Sequence, residues 1–470
     1  MLRALSRPLV SVVERWVPSS LVFAVVLTGV VAVLALGLTD AGGAELLRGW
    51  GDGLTGLLEF MTQMALILLL GHTLANTRPM RRLLAAAARV PRNPVQAYAW
   101  VTFLAAVGSL ISWGLGLVVA ALLAREIAVQ GRERGLRLHF PLLVACGYAG
   151  FVVWHMGYSG SGPLVAATPG SFVEDSAGGL IPVSETIFSG WNMIAVVVTV
   201  VLVTAAMASL RPRASDPVVE LPADVSGELE ERRGPAESAG AASSEDVVAE
   251  ESSGGGVAVR RSPAERVDSS RVVTTVLGLA LTAYLVLYFA QEGFALTLDI
   301  VNWTFLAAIL LLVGGTNELG SLVVGAARNV GDILVQFPLY AGILGLMEGS
   351  GLITVFSDFF VSIASPATLG LWAFLSGGLL NLFVPSGGGQ FAVQAPIFLQ
   401  SASELGVDPS VVIMGVAYGD QWTNMIQPFW ALPLLAIARL GIRDILGYTT
   451  IALLVSGLVF AGTMLVVGAG

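Results

Sequence analysis

The chain has 470 residues, of which 55% are hydrophobic and only 12% charged, and its mean hydropathy is +0.80. So little polar surface excludes a soluble protein of two or three domains and places the chain among polytopic membrane proteins. The net charge of −9 says little about partners, because over half of it lies in one segment, and the single cysteine, Cys146, excludes an internal disulfide or a cysteine-built metal site.

Arg3, Arg7 and Arg15 precede an apolar run at 20–38 that is long enough to span a bilayer and has no small-residue cleavage site after it. It reads as a retained first helix. Further spans are expected at 54–76, 141–168, 187–209, 272–290, 301–327, 332–350, 410–437 and 448–468, with re-entrant hairpins at 95–128 and 367–402. The expected fold is therefore an all-α polytopic membrane protein of nine spans plus two hairpins. With that layout, arginines at 78–92, 125–137, in the central linker, at 328 and at 439–443 share one side, which the positive-inside rule makes cytoplasmic, together with the N-terminus. Acidic loop residues, among them Asp40, Glu174, Asp299 and Asp408, fall opposite. All 24 basic residues are arginines.

The first hairpin turns at Ser109 to Gly116 (SLISWGLG), where a Gly-rich turn into a helix offers free backbone N–H groups to an anion. Close helix packing through Gly114 and Gly116 is the competing reading. The span after it is interrupted at GYAGFVVWHMGYSGSGP from Gly147, carrying His155, Ser159 and Ser161. His155 reads either as a hydrogen-bonded interior histidine or as a functional one.

Arg211 to Arg271 is rich in Ala, Ser, Gly, Glu and Pro and holds 13 acidic and 8 basic residues without a sustained apolar period. Such a segment buries too little surface to offset the cost of ordering and is expected to be a disordered tether; a regulatory loop is the other reading. It divides the chain into a first membrane repeat at 1–210, an acidic cytoplasmic linker at 211–270 and a second repeat at 271–470 with an extra leading helix. A shift of 272 pairs Pro94 with Pro366, Trp100 with Trp372 and Gly116 with Gly388, and a shift of 270 pairs Tyr148 with Tyr418 and Pro163 with Pro433. The extra span at 272–290 makes the second copy enter from the other face, so the repeats are expected to be inverted.

In the second copy Asn317 and Glu318 follow a Gly pair, as a helix cap or as ion ligands. The hairpin turn NLFVPSGGGQ brings Asn381, Ser386, Gly387, Gly388, Gly389 and Gln390 into an apolar stretch, where a broken helix must be buried or line a cavity. The second broken span, AYGDQWTNMIQP from Ala417, carries Asp420, Thr423 and Asn424. A carboxylate at mid-membrane costs roughly 2.5 to 3.5 kcal/mol, so Asp420 needs a compensating role, as coupling-ion ligand, proton acceptor or helix cap. No arginine lies between Arg137 and Arg211 or between Arg328 and Arg439, so an anion here is held by neutral dipoles, which suits a single carboxylate better than phosphate or a polycarboxylate. Trp154, Tyr158, Phe391, Trp422, Phe429 and Trp430 are candidates to wall a small apolar tail.

YGDQWTNMIQPFWALPLL from Tyr418, VPSGGGQFAVQAP from Val384, GLVVAALLARE from Gly116 and GFVVWHMGYSGSGPL from Gly150 together resemble the short-chain fatty acid transporter family of the AtoE type. The resemblance covers both membrane halves. It implies uptake of short-chain monocarboxylates across the cytoplasmic membrane, and membership of a superfamily of carriers with inverted repeats, hairpins and an elevator-like movement. The Ser-Asn-Thr signature of that superfamily's dicarboxylate carriers is replaced here, around Trp113-Gly114 and Pro385-Ser386, so their sodium ligands are not carried over. The expected partners are a monocarboxylate, H⁺ or Na⁺ and the lipid bilayer, with a homo-oligomer left open; no cofactor and no nucleic acid are expected. A passive anion channel is the rival reading. Gly157-Tyr158-Ser159-Gly160 resembles the nucleophile motif of intramembrane rhomboid proteases, but the three histidines, His72, His139 and His155, all precede Ser159, leaving no base on a later helix.

Overall fold

The computed structural model describes residues 20–469 except 57, 159, 169–170, 214, 222–266, 268–269, 294–297, 328–329 and 385–386. In chain order its helices are Ser20–Leu38 (α1), Gly43–Gly53 (α2), Leu58–Ala75 (α3), Arg78–Arg89 (α4), Pro94–Ile111 (α5), Trp113–Glu133 (α6), Phe140–Ala149 (α7), Ser161–Ala166 (α8), Phe172–Ala177 (α9) and Gly190–Ser209 (α10). The second half continues with Arg271–Glu292 (α11), Leu298–Leu312 (α12), Thr316–Ala327 (α13), Gly331–Gly349 (α14), Leu352–Ser362 (α15), Leu369–Asn381 (α16), Gly387–Leu405 (α17), Pro409–Thr423 (α18), Pro428–Ala438 (α19) and Ile442–Gly468 (α20). No strand occurs among the described residues. Among the described residues, seven helices are long and apolar enough to cross a membrane, or eight if the pair Leu334–Gly349 and Leu352–Ser362, bent by 62°, counts as one span. The protein is an all-helical, multi-pass membrane protein.

Local chemistry starts the helices that matter for the site. Asn93 Oδ1 accepts from the Gln96 N–H (3.0 Å) ahead of Pro94, and Asp408 Oδ1 accepts from the Ser410 N–H (2.8 Å) ahead of Pro409. Once started, the helices pack through small residues, because lipid offers no hydrophobic drive between apolar faces. In the α16–α18 seam a Cβ on Gly415 would lie 2.8 Å from Gly370 O, and one on Gly377 2.8 Å from Val416 O. Gly150 uses the same device against α5, where a Cβ would meet Thr102 O at 2.6 Å.

Helices α5 to α7, α10 and α16 to α20 interlock in one bundle, flanked by α1, α2 and α14 and by α3, α11, α12 and α13. Helices α1 and α11 are only 17% buried over their apolar windows, as expected of surfaces solvated by hydrocarbon. The basic clusters converge at one end. Arg134 donates to Ala88 O (3.0 Å) and Pro91 O (2.9 Å), Arg132 to Leu221 O (2.8 Å), Arg137 to Asp216 O (3.1 Å) and Arg125 to Ile437 O (3.2 Å).

These contacts correct the expected disorder of the linker at its start. Residues 215–221 are seated on the α6–α7 turn, with Leu221 buried and Glu220 paired to Arg132 at 3.2 Å; residues 222–266 lie outside the described part. The sequence pattern also missed α2, α4 and α15, which lie between the expected spans.

Candidate functional site

Both broken spans lose their helix where glycine and proline accumulate. After α7 the chain tightens into a 3₁₀ turn, Gly150–Met156, becomes extended at Gly157 and restarts at Ser161. Likewise α18 gives way to the 3₁₀ turn Asn424–Ile426, and α19 restarts at Pro428. The two breaks face each other. Tyr148 donates to Asn424 O (2.7 Å), and Tyr418 donates to Asn192 Oδ1 (2.6 Å), whose Nδ2 in turn donates to Met156 O (3.1 Å).

His155 and Asp420 meet between the breaks, Nε2 to Oδ1 at 3.3 Å, with side chains 1% and 2% exposed. The His155 backbone N–H donates to Gln421 Oε1 (2.9 Å). Neither ring nitrogen of His155 and neither oxygen of Asp420 has a hydrogen-bond partner among the described residues. Asp420 is therefore not satisfied as a helix cap, whereas Glu318 is one, its Oε2 accepting from the Gly314 N–H at 2.6 Å. Removing two ionisable groups from water is expensive unless each charge is compensated, so this pair is a place where a proton or cation changes the energy most.

A neutral polar lattice surrounds the pair. Asn381 Nδ2 donates to Thr423 Oγ1 (2.9 Å) and Asn424 Oδ1 (2.8 Å), Thr423 to Gly378 O (2.8 Å) and Gln427 to Asn381 O (2.6 Å). Gln390 reaches Gly377 O (2.8 Å) and Gln394 (3.1 Å), and Gln394 reaches Ser376 (2.7 Å). Asn381 Oδ1, Gln390 Oε1 and Gln427 Oε1 remain buried without a hydrogen-bond partner among the described residues. No group of three His, Cys, Asp or Glu side chains able to hold a metal occurs among those residues. A cation there would rely on Asp420 with amide and hydroxyl oxygens.

The first turn of α17 abuts this centre. A Cβ on Gly387 would lie 2.8 Å from His155 Nε2 and 2.9 Å from Trp154 Cη2, while one on Gly388 meets nothing within 4 Å. Gly389 is half-buried. The N-terminal first turn and positive dipole end of α17 thus lie beside the histidine, open on the Gly388 side.

The first hairpin departs from the expectation. Ser109, Gly114 and Gly116 are buried, a Cβ on Gly116 would collide with Ser109 Oγ, and one on Gly114 would lie 2.8 Å from Ile67 Cδ1. Their geometry is that of packing between the hairpin legs and against α3. Ser161 is the half-buried first residue of α8, and Ser159 and Ser386 lie outside the described residues.

Of the aromatic candidates, Trp154 lies over His155 (centroids 3.6 Å) and against Trp430 (5.5 Å), and Phe391 packs on Gly162. The others turn away. Trp422 donates to Leu453 O (2.7 Å), Phe429 stacks on Phe337 (4.2 Å) and Tyr158 contacts Phe188 (6.4 Å). Sequence reasoning passed over Tyr148, Tyr418, Asn192, Ser376 and Gln394. The Gln390/Gln394 spacing of four, which puts two amides on one helix face, was the available signal.

A profile of the family described as short chain fatty acid transporter matches residues 1–467. The chain is 42% identical over 462 residues to an Escherichia coli (strain K12) protein named for short-chain fatty acid transport, with 98% of each covered. It is 36% identical over 480 residues to a Haemophilus influenzae protein of the same name, again with 98% of each covered. Among solved structures it is similar to the Alcanivorax borkumensis YdaH transporter, described as having an unusual topology, with a TM-score of 0.44 and 15% identity over 95% of this chain and 98% of that one.

Proposed function

The chain belongs to the short-chain fatty acid transporter family, and we propose that it takes up small monocarboxylates such as acetate, butyrate or acetoacetate in symport with H⁺ or Na⁺ across the cytoplasmic membrane. It is a transporter and not an enzyme, so the serine-protease reading falls away. The observation that carries the proposal is the buried His155–Asp420 pair beside the first turn of α17. In this reading the substrate carboxylate approaches the first turn of α17 on the open Gly388 side, with Ser386 and Gln390 nearby in sequence, Ser161 contributed by the first break and Trp154 shielding one flank. The absence of arginine from this part of the sequence favours one carboxylate over two.

The geometry favours a proton as the coupling ion. One carboxylate and one imidazole meet 3.3 Å apart away from water, and neutralising the carboxylate with a proton lowers the cost of moving the loaded site. Na⁺ is the second reading, favoured by the unpartnered oxygens of Asn381, Gln390 and Gln427 beside Thr423 and Asn424. The reciprocal bonds of Tyr148 and Tyr418 support two inverted repeats that meet at their breaks. The positive-inside rule puts the arginine-rich end, and with it the linker and N-terminus, on the cytoplasmic side.

Proteoliposome uptake of labelled C2 to C6 acids under imposed pH or Na⁺ gradients tests this. Asp420→Asn is expected to abolish pH-gradient-driven accumulation while retaining exchange; if Na⁺ is the coupling ion, Na⁺ stimulation vanishes instead. Full gradient-driven accumulation by the variant would move coupling elsewhere. Uptake that never exceeds equilibrium, and is unaffected by an ionophore, would make the protein a channel.

A further inference from the structure

A cavity of about 470 Å³ opens beside the α4–α5 turn, far along α5 from the polar breaks. Val90 and Arg92 form its rim, Trp100 and Phe103 its wall, and Thr204 of α10 its opposite side. The rim is built rigidly. Arg134 donates to Ala88 O, Arg89 O and Pro91 O, the Arg92 N–H donates to Gln96 Oε1 (2.7 Å), and the Trp100 indole N–H donates to Ala87 O (3.0 Å). Trp100 and Phe103 stack at 6.2 Å with planes 21° apart, so the wall is a flat aromatic surface.

Two further observations say what fits. The exposed side chain of Arg92 makes no ion pair or hydrogen bond with described residues, so a cation stands unneutralised at the rim, and Arg89, exposed and likewise unpaired among them, lies three positions earlier in the chain. From the wall residue Phe103, exposed Val107 and Ile111 follow at four-residue spacing on the same face of α5, and Val201 and Leu202 of the adjacent α10 are exposed apolar residues as well. From Trp100 to Ile111 the stripe is about 16 Å long at 1.5 Å per residue, close to the roughly 15 Å hydrocarbon depth of one leaflet.

We propose that this groove is a binding site for an anionic phospholipid, its phosphate on Arg92 with Arg89 close by and one acyl chain lying along Trp100, Phe103 and Val107. A soluble anion has no use for the apolar wall, and a neutral lipid has none for the unpaired guanidinium groups. The site is independent of the transport centre and rests only on the chain being a membrane protein. A lipid seated there would brace α5 against α10.

Native mass spectrometry of the purified full-length protein, exchanged into mixed micelles with equal dioleoyl-phosphatidylglycerol and dioleoyl-phosphatidylcholine, reads the site directly. The wild type is expected to retain one phosphatidylglycerol in preference, and Arg92→Gln to reduce that preference about fivefold, the value of one basic residue at an anionic surface. Ala99→Trp, which fills the groove, is expected to lower retention of the bound lipid, and excess glycerol phosphate to leave it unchanged. Equal retention of the two lipids by the wild type, or undiminished preference in both variants, overturns the proposal; displacement by glycerol phosphate shows a phosphate site in place of a lipid site.

Discussion

A single methyl group separates the roles of two neighbouring glycines in the first turn of α17. On Gly387 it would meet His155 Nε2 at 2.8 Å, and on Gly388 it would meet nothing. Gly388→Val is therefore expected to keep the thermal stability of the parent in detergent yet abolish uptake, because the added side chain occupies the approach to the positive end of α17. Gly387→Ala is expected to lower stability by about 1–3 kcal/mol through overpacking, read as a lower unfolding temperature. Parental uptake by Gly388→Val would remove the substrate from this turn. Asp420 stood out in the sequence because an acidic residue in an apolar run demands a reason. Its contact with His155 did not, since a separation of 265 positions hides a pairing that only tertiary folding makes. His139 adds a pH-dependent residue outside the spans. Its Nδ1 accepts from the Val219 N–H (3.0 Å) and its Nε2 lies 3.0 Å from the Tyr448 hydroxyl, an arrangement that needs the neutral ring. Burial pushes its pKa below the ordinary 6.5 and the Asp444 carboxylate partly opposes this; the charged pair Arg132 and Glu220 is held by the same docked segment. The released segment therefore binds more protons, so docking is fully stabilised above about 6.5 and is lost as pH falls through the lower, docked value. The exchange protection of the Val219 amide should drop between pH of about 7.5 and about 5.5 in the wild type, and show no such drop in His139→Phe.

At the scale of elements, hairpins and broken spans were readable because Gly and Pro punctuate otherwise apolar runs, as at SGGGQ and at Gly157 to Pro163. Helix α4 was not, being a short arginine-studded segment between expected spans, and α15 was not, being an 11-residue apolar stretch too short to span after the polar break at Glu348 to Gly351. The first hairpin stayed open between binding and packing for a related reason. Glycines that let two backbones approach and glycines that admit a ligand look alike in sequence, and only the position of Ser109 under Gly116 distinguishes them. The α16–α18 seam predicts its own sensitivity. A Cβ on Gly419 would collide with Phe374 O and lie 2.5 Å from Gly378 N, both backbone atoms that cannot swing away. Gly419→Ala is expected to lower the yield of folded protein in size-exclusion chromatography severalfold. Gly462→Ala in α20, with open space around it, should behave as the parent.

For the whole molecule, the near-constant shift of 270 to 272 residues anticipated that both halves carry a hairpin and a broken span, and Tyr148 and Tyr418, paired by that shift, each reach toward the opposite break. Removing either hydroxyl should therefore have similar consequences: Tyr148→Phe and Tyr418→Phe are each expected to slow uptake severalfold with little change in substrate selectivity, measured as relative rates across the acid panel. Composition did not show the linker's docked start, which depends on arginines and His139 supplied by the α6–α7 turn. Replacement of 222–266 by Gly/Ser of equal length should leave transport within about twofold, whereas extending the replacement to 215 should abolish the pH response of the docked segment. The tether also joins elements that belong to different neighbours, since α10 packs on the site-bearing bundle while α11 packs on α12. A flexible tether of 45 residues, as expected from the composition of 222–266, has a root-mean-square reach of roughly 37 Å. What holds the halves together is then the buried seam between the breaks and not the peptide chain. The protein is in effect a heterodimer written as one gene: fragments 1–221 and 267–470, produced from separate messages in one cell, should find each other in the membrane and restore uptake that neither restores alone.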